Sequence, residues 1–145
     1  MNDFGLLKEK IQSGFTPCLN DNCQLREHCR RWLGRKYIST TAMVVTTVNT
    51  GNPFMGGPHC AMFRSDEPVR MAYGFTQLLD VMPRKDSKLL FERMVRIYRR
   101  TYAYEYRNGT RPLTPEMQQQ IAGWCRELGY LAPVVFDKYD DAYEW

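Results

Sequence analysis

Apolar residues recur at helical spacing in four stretches of the chain, and β-branched residues cluster in others. Phe4, Leu7 and Ile11 mark a short amphipathic helix over Phe4–Ser13, which Gly14 ends. Leu25, Cys29, Trp32 and Leu33 follow the spacing i, i+4, i+7, i+8 and predict a second helix over Gln24–Leu33, closed by Gly34. Leu90, Met94, Ile97, Tyr98, Thr101 and Tyr102 line one side of a long helix from Asp86 to Tyr106, with Asn108-Gly109 as its stop. Thr114-Pro115-Glu116-Met117 opens the fourth, with an N-cap Thr, Pro at the first position and an acid in the first turn; Gly129 closes it. Between these, Ser39–Asn49 is rich in Thr and Val and reads as a strand. Cys60–Arg64 and Val69–Tyr73 read as two more strands around Ser65-Asp66-Glu67-Pro68, and Leu131–Phe136 as a fourth.

The pattern predicts an α+β fold: a helix-rich single domain over residues 1–145 with a small antiparallel sheet. Within it, residues 1–37 form a Cys-cluster helical segment, 38–74 the sheet, and 75–145 a helical segment with the aromatic tail Tyr139, Tyr143 and Trp145. Nine Tyr, three Trp and eight Met supply bulk that the aliphatics do not. The longest unbroken aliphatic run, Ala42-Met43-Val44-Val45, is far short of the roughly 18 residues of a membrane span. No basic start followed by an apolar stretch opens the chain, so a cytoplasmic protein is expected.

Five cysteines are present: Cys18, Cys23, Cys29, Cys60 and Cys125. The odd count without an export signal points to reduced thiols. Three of them form a C-x4-C-x5-C cluster, and Cys60 follows a loop rich in Gly and Pro, Gly51–Pro58. Soft, deprotonatable ligands on turn-forming backbone suit a metal site, and Asn20, Asp21 and Asn22 are turn formers. Asp21 and Gln24 have the spacing of a capping box for the second helix. The expected ligand set is Cys18, Cys23, Cys29 and Cys60, with His59 or His28 as alternatives for the fourth place. Zinc is the expected ion, and an iron–sulfur cluster uses the same four thiolates. The competing reading makes Cys29 a small core residue on its helix. Cys125 sits among Ile121, Ala122 and Leu128 and is expected in the core.

A net charge of +4 hides an asymmetry. Arg26–Tyr37 holds five basic residues against one acid, and Arg84–Arg111 nine against three. Pro112–Trp145 holds two against six. If the long helix is continuous, Arg93, Arg96, Arg100 and Arg107 recur at i, i+3, i+7, i+14 and form one ridge suited to phosphates. The bland alternative is a solvated face, or one paired with Asp137, Asp140, Asp141 and Glu144. The loop Arg107–Leu113 is long for a helix-turn-helix, and the helix after it is poor in basic residues.

No paired-carboxylate motif, phosphate loop or H-E-x-x-H is present, so an enzyme is not expected; were one present, Cys60 is the candidate nucleophile. The sequence therefore leads to a small metal-stabilised domain that binds nucleic acid or another polyanion through a basic helix. The alternatives are an interaction module whose basic helix and aromatic tail dock a protein partner or a second copy as a homodimer, and a thiol- or metal-dependent enzyme.

Overall fold

The structure, a computed structural model, describes residues 3–145. It is α+β and helix-rich: among the described residues there are six α-helices and one two-stranded antiparallel sheet. No helix among them is long and apolar enough to cross a membrane. The chain divides into two compact units. One runs to Pro68 and also takes in Tyr143–Trp145; the other is Val69–Ala142.

The Val69–Ala142 unit has a conventional core. Strand β1 (Val69–Tyr73) pairs antiparallel with β2 (Lys138–Ala142), setting Val69 opposite Ala142, Met71 opposite Asp140 and Tyr73 opposite Lys138. Leu113 adds a short third rung, exchanging two backbone hydrogen bonds with Ala72 at 3.0 and 2.7 Å. The strand expected over Leu131–Phe136 does not form; Pro133 lies within it, Leu131 is exposed, and pairing falls to Lys138–Ala142 instead. The C-terminal helix (Pro115–Glu127) starts as its sequence dictates, Thr114 Oγ1 accepting from the Met117 amide at 3.3 Å. A helix the periodicity did not reveal covers Thr76–Val81. Its start is capped from far along the chain: the Asp137 carboxylate accepts from the Thr76 amide (2.8 Å), the Thr76 hydroxyl (2.7 Å) and the Gln77 amide (3.0 Å). Phe75, Leu90, Met94, Leu113, Ile121 and Cys125 are all fully buried, so Cys125 is the core residue its neighbours implied.

The expected long helix is two. One covers Arg84–Tyr98 and the next Arg100–Asn108, separated by Arg99 at φ 67°, ψ 159°. On a continuous helix Phe91 and Tyr104 would stand about 20 Å apart, thirteen residues at about 1.5 Å each. Their ring centroids are 5.0 Å apart, and those of Tyr98 and Tyr106 5.3 Å. The two helices fold back on each other, and aromatic contacts close the hairpin.

The other unit is built differently. Helix α1 (Asp3–Gln12) matches its amphipathic pattern, with Leu7 buried. The helix expected over Gln24–Leu33 is interrupted: a 3₁₀ turn (Arg26–His28) and one α-turn (Arg30–Leu33) flank Cys29, which is extended at φ −108°, ψ 116°. Pairing with a segment distant in the same chain is the cause. Cys29 bridges to Ser65, and the Arg30 amide donates to the Arg64 carbonyl at 2.8 Å. A second 3₁₀ turn spans Gly34–Tyr37. The strands expected over Ser39–Asn49 and Cys60–Arg64 are both absent. Ser39 Oγ accepts from the amides of Thr41 and Ala42, bending the chain, and no neighbouring strand pairs with the Val- and Thr-rich run that follows. β-propensity without a partner does not make a strand.

The interior of this unit is cationic and aromatic. Arg30 is 1% exposed, with its guanidinium 3.3 Å from the Tyr143 ring centroid and 4.5 Å from that of Trp145. Trp145 in turn meets Phe15 edge-on at 5.2 Å. Stacking of this kind replaces solvent around a planar, weakly hydrated cation.

Candidate metal centre

Cys18, Cys23, Cys29 and Cys60 line one small cavity of about 20 Å³, room for a single water-sized particle. Each arrives on backbone that the local sequence shapes. Asn20 accepts the Asn22 amide on its side chain (3.1 Å) and the Cys23 amide on its carbonyl (3.3 Å), making the turn between Cys18 and Cys23. The extended break described above carries Cys29 to the same wall. Cys60 comes from the Gly-rich loop: Gly56 and Gly57 both adopt positive φ, and a Cβ on Gly56 would meet the Asn20 side chain at 3.3 Å. The glycines thus let the loop close over the first turn.

Arg31 braces the site. Its Nε donates to the Met62 carbonyl and its Nη1 to the Thr16 carbonyl, both at 2.8 Å, tying together the segments that carry Cys60 and Cys18. Its guanidinium lies over the Phe15 ring at 4.3 Å. Burial lowers the Arg31 pKa, Arg64 lowers it further, and charge on Cys29, Cys18 and Cys60 opposes them. For Cys18 burial dominates and pushes the thiol up; a backbone hydrogen bond at Asn20 lowers it, and charge on Cys29, Cys23 and Cys60 raises it again. The thiols therefore feel one another electrostatically and favour the protonated state at Cys18 when no cation is present. Among the described residues no three His, Cys, Asp or Glu side chains converge closely enough to hold an ion as they stand. The four thiols border the cavity without closing on a point.

The alternatives for a fourth ligand are placed elsewhere. His28 is exposed and faces Asp66 at 3.2 Å, and His59 is exposed and does not line the cavity. The capping box expected at Asp21 and Gln24 does not form. Asp21 accepts instead from the Trp32 indole at 2.9 Å, and no side chain caps the turn beginning at Arg26.

The basic ridge is not continuous, because Arg99 ends one helix before Arg100 begins the next. Arg93 pairs with Glu127. Arg107 covers the rings of Tyr104 and Phe91 at 4.6 and 5.1 Å. Arg96 and Arg100 remain exposed, with Arg99 between them, and among the described residues no acid stands within ion-pair distance of the three. Among the described residues Asp140 and Asp141 form no ion pair with them, and Asp137 is engaged at the cap of Thr76–Val81. Nor is the aromatic tail free, since Tyr143 and Trp145 enclose Arg30 and Tyr139 lies 4.9 Å below Arg70.

Sequence reasoning missed Arg30 and Arg31 as interior residues and only counted them among the five basic residues of Arg26–Tyr37. The usable signal was the aromatic content around a basic run with one acid. No curated protein and no solved structure matches the chain. A family model described as a family of unknown function (DUF6078) matches residues 1–145, and the chain belongs to that family.

Proposed function

We infer that the unit containing the cysteine cluster is a metal-stapled module, with Cys18, Cys23, Cys29 and Cys60 holding one zinc ion, and that the chain binds nucleic acid or another polyanion. One observation carries the metal reading. A unit whose buried apolar side chains among the described residues are Leu7, Pro17, Cys29 and Val48 sets four thiols, drawn from positions 18 to 60, along the wall of one ion-sized void. A domain of about 70 residues with so little core needs a cross-link, and reduced cysteines supply one through a metal. Protonated thiols pack like small apolar groups and give no reason for four to share one cavity; a divalent cation does, and its binding would draw the four onto it. The void suits a single ion better than a multi-atom iron–sulfur cluster. Four thiolates and one divalent cation leave two negative charges, and Arg26 and Arg31, which line the same cavity, oppose them.

Elemental analysis and a visible spectrum of the purified chain test this. One zinc per chain in a colourless protein is the expected result. Iron, sulfide and a brown colour would assign the cluster instead. Metal-free protein that stays equally stable with all four cysteines changed to Ser would overturn both.

The polyanion reading rests on Arg96, Arg99 and Arg100, exposed and without acidic partners among the described residues where one helix gives way to the next. Changing Arg96 and Arg100 to Ala should weaken binding of a labelled single-stranded oligonucleotide and leave folding intact. The slope of log affinity against log salt should flatten by about one for each phosphate that the variant no longer neutralises. Unchanged affinity and slope would remove this part of the reading.

A further inference from the structure

The run Met43–Thr47 is the least satisfied backbone in the cysteine-bearing unit. Among the described residues neither its amides nor its carbonyls enter a hydrogen bond with the rest of the chain. It is nevertheless held at both ends. Ser39 Oγ fixes the amides of Thr41 and Ala42 at 3.3 and 3.2 Å, and the Val48 amide donates to the Pro17 carbonyl at 3.0 Å with Val48 itself buried. Its first side chains face solvent: Met43 is 100% exposed and Val44 88%. Folded proteins usually protect such an edge with Lys, Pro or a bulge. Here there is no such guard. Between Lys36 and Arg64 the chain contains no Asp, Glu, Lys or Arg, and no Pro lies between Lys36 and Pro53.

The order of side chains says what would cover it. Val44-Val45-Thr46-Thr47 laid antiparallel against itself sets Val44 opposite Thr47 and Val45 opposite Thr46, so every cross-strand pair is β-branched. A twofold contact requires this self-complementarity, and an uncharged edge adds no like-charge repulsion to it. Alongside lies a groove of about 880 Å³ whose walls include Ile11, Phe15 and Val45, with Lys8 and Lys36 also lining it. We propose that Val44–Thr47 is a dimerisation edge, pairing antiparallel with the same residues of a second copy of the chain.

The test uses the full-length, metal-replete chain. Sedimentation velocity across a concentration series should show the mass rising from 17.1 kDa toward twice that value. Hydrogen exchange at the two ends of the series should show the Val44–Thr47 amides slowed by about tenfold or more in the concentrated sample. Val45→Pro, which removes an amide from the pairing, and Val44→Lys, which sets a charge on the exposed edge, should both restore the 17.1 kDa species. An unchanged near-ultraviolet spectrum in each variant would show that the fold is intact. A single 17.1 kDa species throughout, with these amides unprotected, would overturn the proposal. So would a dimer in which they stay unprotected, or one that survives both substitutions. If an acidic peptide slows the same amides while the chain stays monomeric, the edge belongs to a different partner and the proposal fails.

Discussion

The two units of this chain solve the problem of an interior by different chemistry. Val69–Ala142 buries twelve apolar side chains, among them Phe75, Leu90, Met94 and Ile121, and its helices and sheet are the layers such a core produces. Among the described residues the cysteine-bearing unit buries four, and it fills its interior with two arginines stacked on aromatic rings and a cavity edged by thiols. Area removed from water stabilises the first. The second depends on directional contacts, each needing its partner in place, and a cation–π contact contributes only about 0.5–2 kcal/mol. A residue's type therefore says little about its location in that unit: the most basic short segment of the chain turns two of its five cations inward.

The largest effect that sharpens this contrast is removal of the proposed zinc ion. Structural zinc in small domains contributes on the order of 10 kcal/mol. Chelation, or changing the four cysteines to Ser, should therefore unfold the cysteine-bearing unit and spare the other. The three tryptophans divide usefully, Trp32 and Trp145 lying in the first unit and Trp124 in the second. Two of the three indole N–H signals in an NMR spectrum should collapse on chelation while that of Trp124 persists. Simultaneous loss of all three, or of none, would break the comparison.

The complementary change is Phe75→Ala. Phe75 is 0% exposed in the apolar core, and truncating a buried Phe typically costs about 3–5 kcal/mol. Denaturant unfolding followed through Trp124 should report that destabilisation. A cost below about 1 kcal/mol would mean that the core is not what holds this unit together.

How much of this was legible follows from where the causes lie. The helix at Pro115–Glu127 was plain because its cap, its first-turn proline and its closing glycine are adjacent in sequence. Thr76–Val81 was invisible because its cap, Asp137, is 61 residues away. Ser39–Asn49 read as a strand because its side chains favour one, yet strand formation depends on a neighbour that the fold does not provide. The cysteine cluster was legible as spacing and turn residues, and Cys60 does line its cavity. The brace, Arg31, was not, since nothing local distinguishes an arginine that donates to two distant backbone carbonyls from one in solvent.

A smaller effect tests the long-range cap. Burial alone would raise the Asp137 carboxyl, but hydrogen bonds from the Gln77 amide, the Thr76 hydroxyl and the Thr76 amide outweigh it and hold its pKa below the ordinary value. A carboxylate depressed in the folded state stabilises above its unfolded pKa, near 3.9, and loses that contribution as pH falls through the folded value. Asp137→Asn should therefore cost about 1 kcal/mol near neutral pH. The difference from the parent should shrink as pH falls below about 4. A constant difference down to the folded pKa would show that the charge is irrelevant to the cap.

The smallest effect concerns Arg99, and its sign matters more than its size. Within an ordinary helix Gly is about 1 kcal/mol worse than Ala. At φ 67°, ψ 159° the preference reverses, because only glycine occupies that region without strain, and other residues there cost about 1–3 kcal/mol. Arg99→Gly and Arg99→Ala remove the same exposed charge, so their difference isolates the backbone. If the aromatic hairpin of Phe91 with Tyr104 and Tyr98 with Tyr106 imposes the break, the Gly variant should be more stable than the Ala variant by about 1 kcal/mol. The parent and the Ala variant should then stand within about 0.5 kcal/mol of each other, as for exposed substitutions elsewhere. If the chain prefers one continuous helix through Arg99, the Ala variant should be the more stable of the two. That outcome would restore the continuous arginine ridge and remove the exposed corner of Arg96, Arg99 and Arg100 on which the polyanion reading rests.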